Sequence, residues 1–275
     1  MTAPLFLFDP AHDDTPLASD ELHAGWRLSL PEHVRRHAIQ VMRMAEGDRL
    51  RLSDGEGLLI QATIRDGASG LVEIDQVGRQ AGPRVRLGLI QALAKGGRDE
   101  SAIEAATQLG VDRVTPWQAD RSIARWKAGR TDRRWEQVLV AATEQSRRTW
   151  KPLLTPMVTS RGLADDCRQA AGRGDLTVVL HQDAAEGFNR IEEMAAGVAE
   201  GGTVRVVVGP EGGISDGEAE ALTGAGAVAC TLGTNILRAS TAGPAALALL
   251  ARILGRFDRA EGRGPRPASG LGLPA

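Results

Sequence analysis

The chain has 275 residues, 42% of them hydrophobic and 25% charged, with a formal net charge of -2. That length accommodates two domains with a sizeable core, and the near-neutral balance excludes a uniformly basic, nucleic-acid-coated protein. No apolar run approaches the length of a membrane span, and the opening Met1-Thr2-Ala3-Pro4-Leu5-Phe6 carries neither a basic flank nor an apolar segment of signal length. This predicts a cytoplasmic protein with no membrane partner. Cys167 and Cys230 stand far apart and form no C-x-x-C pair, so neither a disulfide framework nor a metal site is expected.

Residues 1–80 read as a small β-rich unit. Leu5-Phe6-Leu7-Phe8 is a short apolar strand, and residues 31–42 have helical spacing with Val34, Ala38, Val41 and Met42 on one stripe. Arg49-Leu50-Arg51-Leu52 alternates as a half-buried strand, the Asp54-Gly55-Glu56-Gly57 turn feeds a strand over 58–64, and another lies near 71–74. Several short strands around one helix suggest a small barrel or sandwich. Gly82-Pro83 marks a boundary. Beyond it, strands at 85–90, 111–114, 177–180, 204–208 and 228–232 alternate with helices at 99–109, 131–147, 188–199, 215–222 and 241–254. Ser215 and Glu218 have capping-box spacing at the start of one of them. Apolar, β-branched strands separated by helices indicate an α/β unit with a parallel sheet covered on both faces, spanning 81–257. Residues 258–275 are rich in Gly, Pro and Arg and are expected to be a disordered tail.

Two features suggest chemistry. Nine basic residues fall between Arg121 and Lys151, among them Arg125, Arg147 and Arg148, against three acids, with Trp126, Trp135 and Trp150 interleaved. Cations beside aromatics suit phosphate contacts and base stacking in RNA; a core beneath a solvated helix face explains the tryptophans at least as well, and the density of arginine favours RNA. The second feature is a pair of glycine loops at strand ends. Val204–Val208 runs into Gly209-Pro210-Glu211-Gly212-Gly213, and 228–232 runs through Leu232 into Gly233-Thr234-Asn235-Ile236-Leu237-Arg238. A third strand ends at Leu180-His181. Ligands of open α/β sheets bind beyond the carboxyl ends of strands, and glycine lets a ligand approach the backbone closely. Neither loop is a G-x-G-x-x-G or a P-loop, so a phosphate ligand is not indicated. A backbone-lined pocket for a neutral group such as adenine fits better.

In these motifs the sequence resembles the bacterial small-subunit ribosomal RNA methyltransferases of the E type, members of the SPOUT superfamily, over residues 4–255. Gly209 to Ser215 matches a family signature, and Leu232 to Ala242 matches the family's L-G-x-R-I-L-R-x-E-T-A. Leu109-Gly110-Val111 with Pro116, Glu144 to Arg148, and, in the first unit, His37, Val41-Met42-Arg43, Gly47-Asp48 and Asp54-Gly55-x-Gly57 also match. Asn235 stands where the family usually has arginine, Ser240 where it has glutamate, and Ala105 and Gln108 replace its usual lysine and glutamate.

The resemblance implies a PUA-like RNA-binding domain followed by a SPOUT domain with a trefoil knot, working as a homodimer. It implies transfer of methyl from S-adenosylmethionine to N3 of a uridine in 16S rRNA, free or within the 30S subunit. Cofactor contacts are then expected from Leu180, His181, Gly209, Pro210, Glu211, Gly212, Leu232, Gly233, Asn235, Ile236, Leu237 and Thr241. Arg238 is the candidate for stabilising charge on the uracil, with a phosphate-binding or structural role as its alternative, and Glu211 is a candidate base, with favourable charge beside the sulfonium or a helix cap as its alternatives. RNA contacts are expected from His37, Arg43, Arg121, Arg125, Arg147 and Arg148. A SPOUT enzyme acting on transfer RNA or a ribose 2′-hydroxyl, and a non-catalytic RNA-binding homologue, remain open on the sequence.

Overall fold

The structure, a computed structural model, describes residues 3–9, 12–13 and 22–258. The expected disordered tail lies, apart from Asp258, outside the described residues. The amino-terminal unit is one five-stranded sheet. It comprises β1 (Leu5–Leu7), β2 (Arg27–Ser29), β3 (Arg49–Ser53), β4 (Leu58–Asp66) and β5 (Leu71–Arg79), in the order β1-β3-β4-β5-β2. Only β1 and β3 run parallel. On β4, every second residue (Leu58, Ile60, Ala62, Ile64) is buried in one core cluster, the period of a strand with one covered face. The helix α1 (Glu32–Arg35) passes directly into a π-helical turn over Arg36–Val41, and places Val34 and Ala38 in that core. Val41 and Met42, expected on the buried stripe, are exposed because the wider turn rotates them away.

The second unit is a seven-stranded sheet in which every pairing is parallel. It contains β6 (Arg86–Ala92), β7 (Arg113–Gln118), β8 (Leu153–Leu154), β10 (Leu176–Leu180), β11 (Thr203–Val208) and β12 (Val228–Cys230), ordered β12-β10-β11-β6-β7-β8, with β9 (Val158–Thr159) also paired to β7. Alternate side chains divide between two cores. Leu87, Leu89, Val204, Val206 and Val208 face one, and Ile90, Ala92 and Val207 the other. The first face is covered by helices α2 (Arg98–Gln108), α3 (Thr131–Ser146), α5 (Phe188–Ala196) and α7 (Ala239–Ile253). The other is covered by α4 (Ser160–Gly172) and α6 (Asp216–Gly224). Gly243 lets α7 lie close to the sheet: a Cβ there would stand 2.8 Å from Leu89 Cδ1 and 3.2 Å from Val208 Cγ2. Helix α4 was not anticipated from the sequence. Its buried stripe is only Leu163, Ala164, Cys167 and Ala170, and glycines at 162 and 172 interrupt the pattern.

The two units are bonded through backbone. Gly57 N–H donates to Thr149 O and Lys151 N–H to Gly55 O, each at 2.9 Å. Leu7 N–H donates to Glu144 Oε1 at 2.9 Å, and the Trp150 indole donates to Gln80 O at 3.1 Å. Gly57 sits at this seam with φ +100°, where an added Cβ would meet Gln80 O at 2.7 Å and Trp150 Cζ2 at 2.8 Å. We predict that Gly57→Ala costs about 2–3 kcal/mol, from left-handed backbone strain and displacement of Trp150. Urea unfolding of both proteins checks this; equal midpoints would show that the seam yields without cost.

Candidate functional site

Register brings the suspected loops together. In the β12-β10-β11 run, Leu180 pairs with Cys230, and Val179 pairs with Val207, so Leu180 lies level with Val208. Parallel strands in register end at one edge. The loops after Leu180, Val208 and Cys230 therefore leave side by side, tied by His181 N–H to Cys230 O at 3.0 Å. They enclose a cavity of about 520 Å³ lined by all the sequence-predicted cofactor residues except Thr241. Thr241 is exposed on the first turn of α7; the helical phase turns Ala239 and Ala242, three apart, to the cavity instead.

The glycines act in different ways. A Cβ on Gly209 would lie 2.6 Å from Ile214 Cγ1 and 3.3 Å from Ile214 N, so this position is closed to any side chain. Gly212 packs on Arg121, whose Cβ would be 3.1 Å away. Gly213 and Gly233 have φ of +74° and +83°, the left-handed region. The loop after β11 is then anchored by α6. Ser215 and Glu218 form the expected capping box. The buried Glu218 carboxylate also accepts from Asp120 N–H at 2.8 Å and Ser160 Oγ at 2.6 Å. Burial pushes its pKa up, but these bonds outweigh that and hold it below the usual range.

Charged groups ring the opening. Glu211 Oε1 accepts from Arg98 Nη1 at 2.9 Å and from Lys95 N–H at 3.0 Å. Partial burial raises its pKa, while the backbone N–H bonds and Arg98 together lower it further, leaving it below an ordinary carboxyl. An ionised, engaged carboxylate is a weak proton acceptor. Arg98 lines the cavity and escaped the sequence reading, since a charged residue opening a helix carries no periodic signal. Arg121, expected only as an RNA contact, also lines it and donates to Gly212 O at 3.2 Å. Arg238 is the exposed N-cap of α7, and its guanidinium has no hydrogen-bond or ion-pair partner among the described residues.

Other predicted RNA contacts are dispersed. His37 and Arg43 are exposed on the first unit, Arg43 with φ +56°. Arg125 and Arg147 are exposed, Arg147 at the left-handed C-cap of α3. Arg148 is turned inward: Nη1 donates to Thr107 O and Val111 O, both at 2.8 Å, and the guanidinium faces Asp112, which also pairs with Arg256. Its donors are spent inside the fold. Among the tryptophans, Trp117 and Trp135 are fully buried, and Trp126 meets Trp135 edge-on. The core explanation therefore holds for these three.

The parallel α/β sheet with its glycine-walled cavity at the carboxyl edge and the small β unit joined to it both match RNA methyltransferase families. Residues 81–251 match the RNA methyltransferase domain family and residues 30–75 the RNA methyltransferase PUA domain family. The chain belongs to the ribosomal RNA small subunit methyltransferase E family. It is 37% identical over 263 residues to the member from Mycobacterium bovis, covering 94% of this chain and 95% of that one. It is 29% identical to the member from Bacillus subtilis, covering 82% and 90%. The crystal structure of the Neisseria gonorrhoeae protein of this name, bound to S-adenosyl methionine, superposes with a TM-score of 0.76 at 25% identity, over 92% of this chain and 98% of that one.

We predict that Arg148→Ala lowers stability by about 2–3 kcal/mol, by stranding two carbonyls and weakening the Asp112 cluster. The salt dependence of RNA binding should stay unchanged. Denaturant unfolding and filter binding across salt concentrations separate the two; a shallower salt slope at full stability would return Arg148 to the RNA face.

Proposed function

We propose that the chain transfers a methyl group from S-adenosylmethionine to N3 of a uridine in 16S rRNA of the small ribosomal subunit. The cavity at three aligned strand ends, two of them followed by glycine turns, in a member of this family, carries the reading. Its walls fit the cofactor. Exposed backbone on the glycine turns suits the adenine edge, and Leu180, Leu232, Ile236, Leu237 and Ala242 offer apolar surface. When bound, the cofactor supplies an electrophilic methyl on a sulfonium.

The protein's part is positioning and charge. Uracil N3 is a poor nucleophile until it loses its proton, so donors aimed at the developing anion lower the barrier. The unpartnered Arg238 at the cavity wall is one such donor. Glu211 holds Arg98 rather than taking the proton, since both its pairing and its depressed pKa oppose protonation. Residues 1–80 form the RNA-binding unit, with His37 and Arg43 on its exposed side, and 81–257 the methyltransferase unit. The strand order β12-β10-β11-β6 suits the trefoil knot of SPOUT proteins. Ile236, 80% exposed on the cavity rim, suits coverage by a second copy in a homodimer.

The test is incubation with labelled S-adenosylmethionine and either naked 16S rRNA or small subunits from cells lacking the modification, with the methyl located by mass spectrometry. One methyl on uridine N3 is expected. A methyl on ribose or on another base, or none, contradicts the reading. Arg238→Ala should slow single-turnover methylation about 100-fold and leave cofactor affinity within about threefold; the reverse pattern makes Arg238 a binding residue.

A further inference from the structure

A second, more open cavity of about 310 Å³ adjoins the first, lined by Lys95, Gly96, Arg98, Ile123 and Glu211. Arg98 and Glu211 belong to both, so their 2.9 Å ion pair marks the boundary between the two spaces. Part of its wall is the turn after β6, where Gly96, with φ of +64°, presents bare backbone. Lys95 is exposed, and its ammonium has no partner among the described residues. Ile123 is 65% exposed, a large apolar side chain with nothing packed over it.

These features have a common chemistry. The side-chain polar groups other than Glu211 are donors only, and the Glu211 carboxylate is already engaged by Arg98 and Lys95 N–H. A ligand here must present acceptors or negative charge, plus an apolar face. A uridine nucleotide does both: its O2 and O4 accept, its ring has a flat apolar face, and its phosphate is anionic. Cytosine would set its 4-amino donor against the guanidinium. Methyl transfer also requires the acceptor beside the cofactor cavity, and this cavity shares a wall with it.

We propose that this second cavity receives the target uridine, with its ring over Ile123, its phosphate on Lys95, and Arg98 donating to a uracil carbonyl oxygen as N3 loses its proton. The assignment rests on the methylation reading above. Glu211 is then a positioning residue, fixing Arg98 at the boundary where charge develops. The Arg98 N–H bonds to uracil strengthen as the ring becomes anionic, and the N3 proton leaves to solvent.

The experiment uses the full chain with small-subunit RNA and compares wild type with Arg98→Gln, Arg98→Lys, Lys95→Gln and Ile123→Ala. Arg98→Gln should lose about 100-fold in single-turnover rate, the scale of one donor to a developing anion. It should keep cofactor affinity within about threefold by calorimetry, as expected for loss of a transition-state contact. The deficit should shrink as pH rises, because hydroxide then forms the uracilate that the guanidinium no longer favours; a merely structural defect would be pH-independent. Arg98→Lys should recover part of the rate. Lys95→Gln should raise KM for RNA and reduce the salt slope by about one, with kcat little changed. Ile123→Ala should raise KM alone. An active wild type with Arg98→Gln and Lys95→Gln both unaffected overturns this assignment and leaves the methylation reading standing. A pH-independent Arg98→Gln deficit with lost cofactor affinity also overturns it, placing Arg98 in the cofactor wall. A wild type that methylates no uridine overturns both.

Discussion

The parallel register of β12, β10 and β11 is the constraint on which the rest depends. Because Leu180 is level with both Cys230 and Val208, three loops distant in sequence must leave the sheet at one edge. The buried Arg205 makes the two faces unequal and fixes that register: sliding β11 by one residue would carry Arg205 into the core that holds Val204, Val206 and Val208 and out of its pairing with Asp166 and Thr177. The cavity follows from packing that has nothing to do with ligand chemistry. Its shape is then set by glycine. Gly209 has no room for a methyl group, and Gly213 and Gly233 take backbone conformations that other residues resist.

Charge is arranged around this scaffold with few direct contacts between opposite groups. Arg98, Arg121 and Arg238 reach the cavity from three different elements, and Glu211 is the carboxylate that holds one of them. The rest of that cavity's wall is largely glycine backbone and the aliphatic side chains of Leu180, Leu232, Leu237 and Ala242. The chain's net charge of -2 conceals this, since the cations that matter are local.

Much of this was legible in the sequence. The strands with continuous β-branched runs, the capping box at Ser215 and the glycine loops stood out because each has a local signature. The missing parts lack one. Helix α4 buries small residues between glycines, and β2, β8 and β9 are too short for a pattern. The density of cations between 121 and 151 suggested one RNA-binding segment, but a charge in sequence does not say which way it points. Arg121 reaches the cavity, Arg148 turns inward to Asp112, and Trp135 lies in the core. Lys95 and Arg98 gave no signal, because their significance comes from facing Glu211 across 113 residues or more of chain. The family resemblance supplied the cofactor and the knot, which periodicity alone would not reach.

The loops are held here to bind through shape and backbone rather than through charged side chains. Calorimetric titration of S-adenosylmethionine into wild type, Gly209→Ala and Glu211→Gln, each confirmed folded by near-ultraviolet circular dichroism, distinguishes the two. Gly209→Ala should lose detectable binding, because its methyl displaces Ile214 and the turn beside it, while Glu211→Gln should bind within about fivefold of wild type, a loss no larger than one rim-exposed charge contributes. Unimpaired binding by Gly209→Ala together with its loss in Glu211→Gln would contradict a backbone-built site.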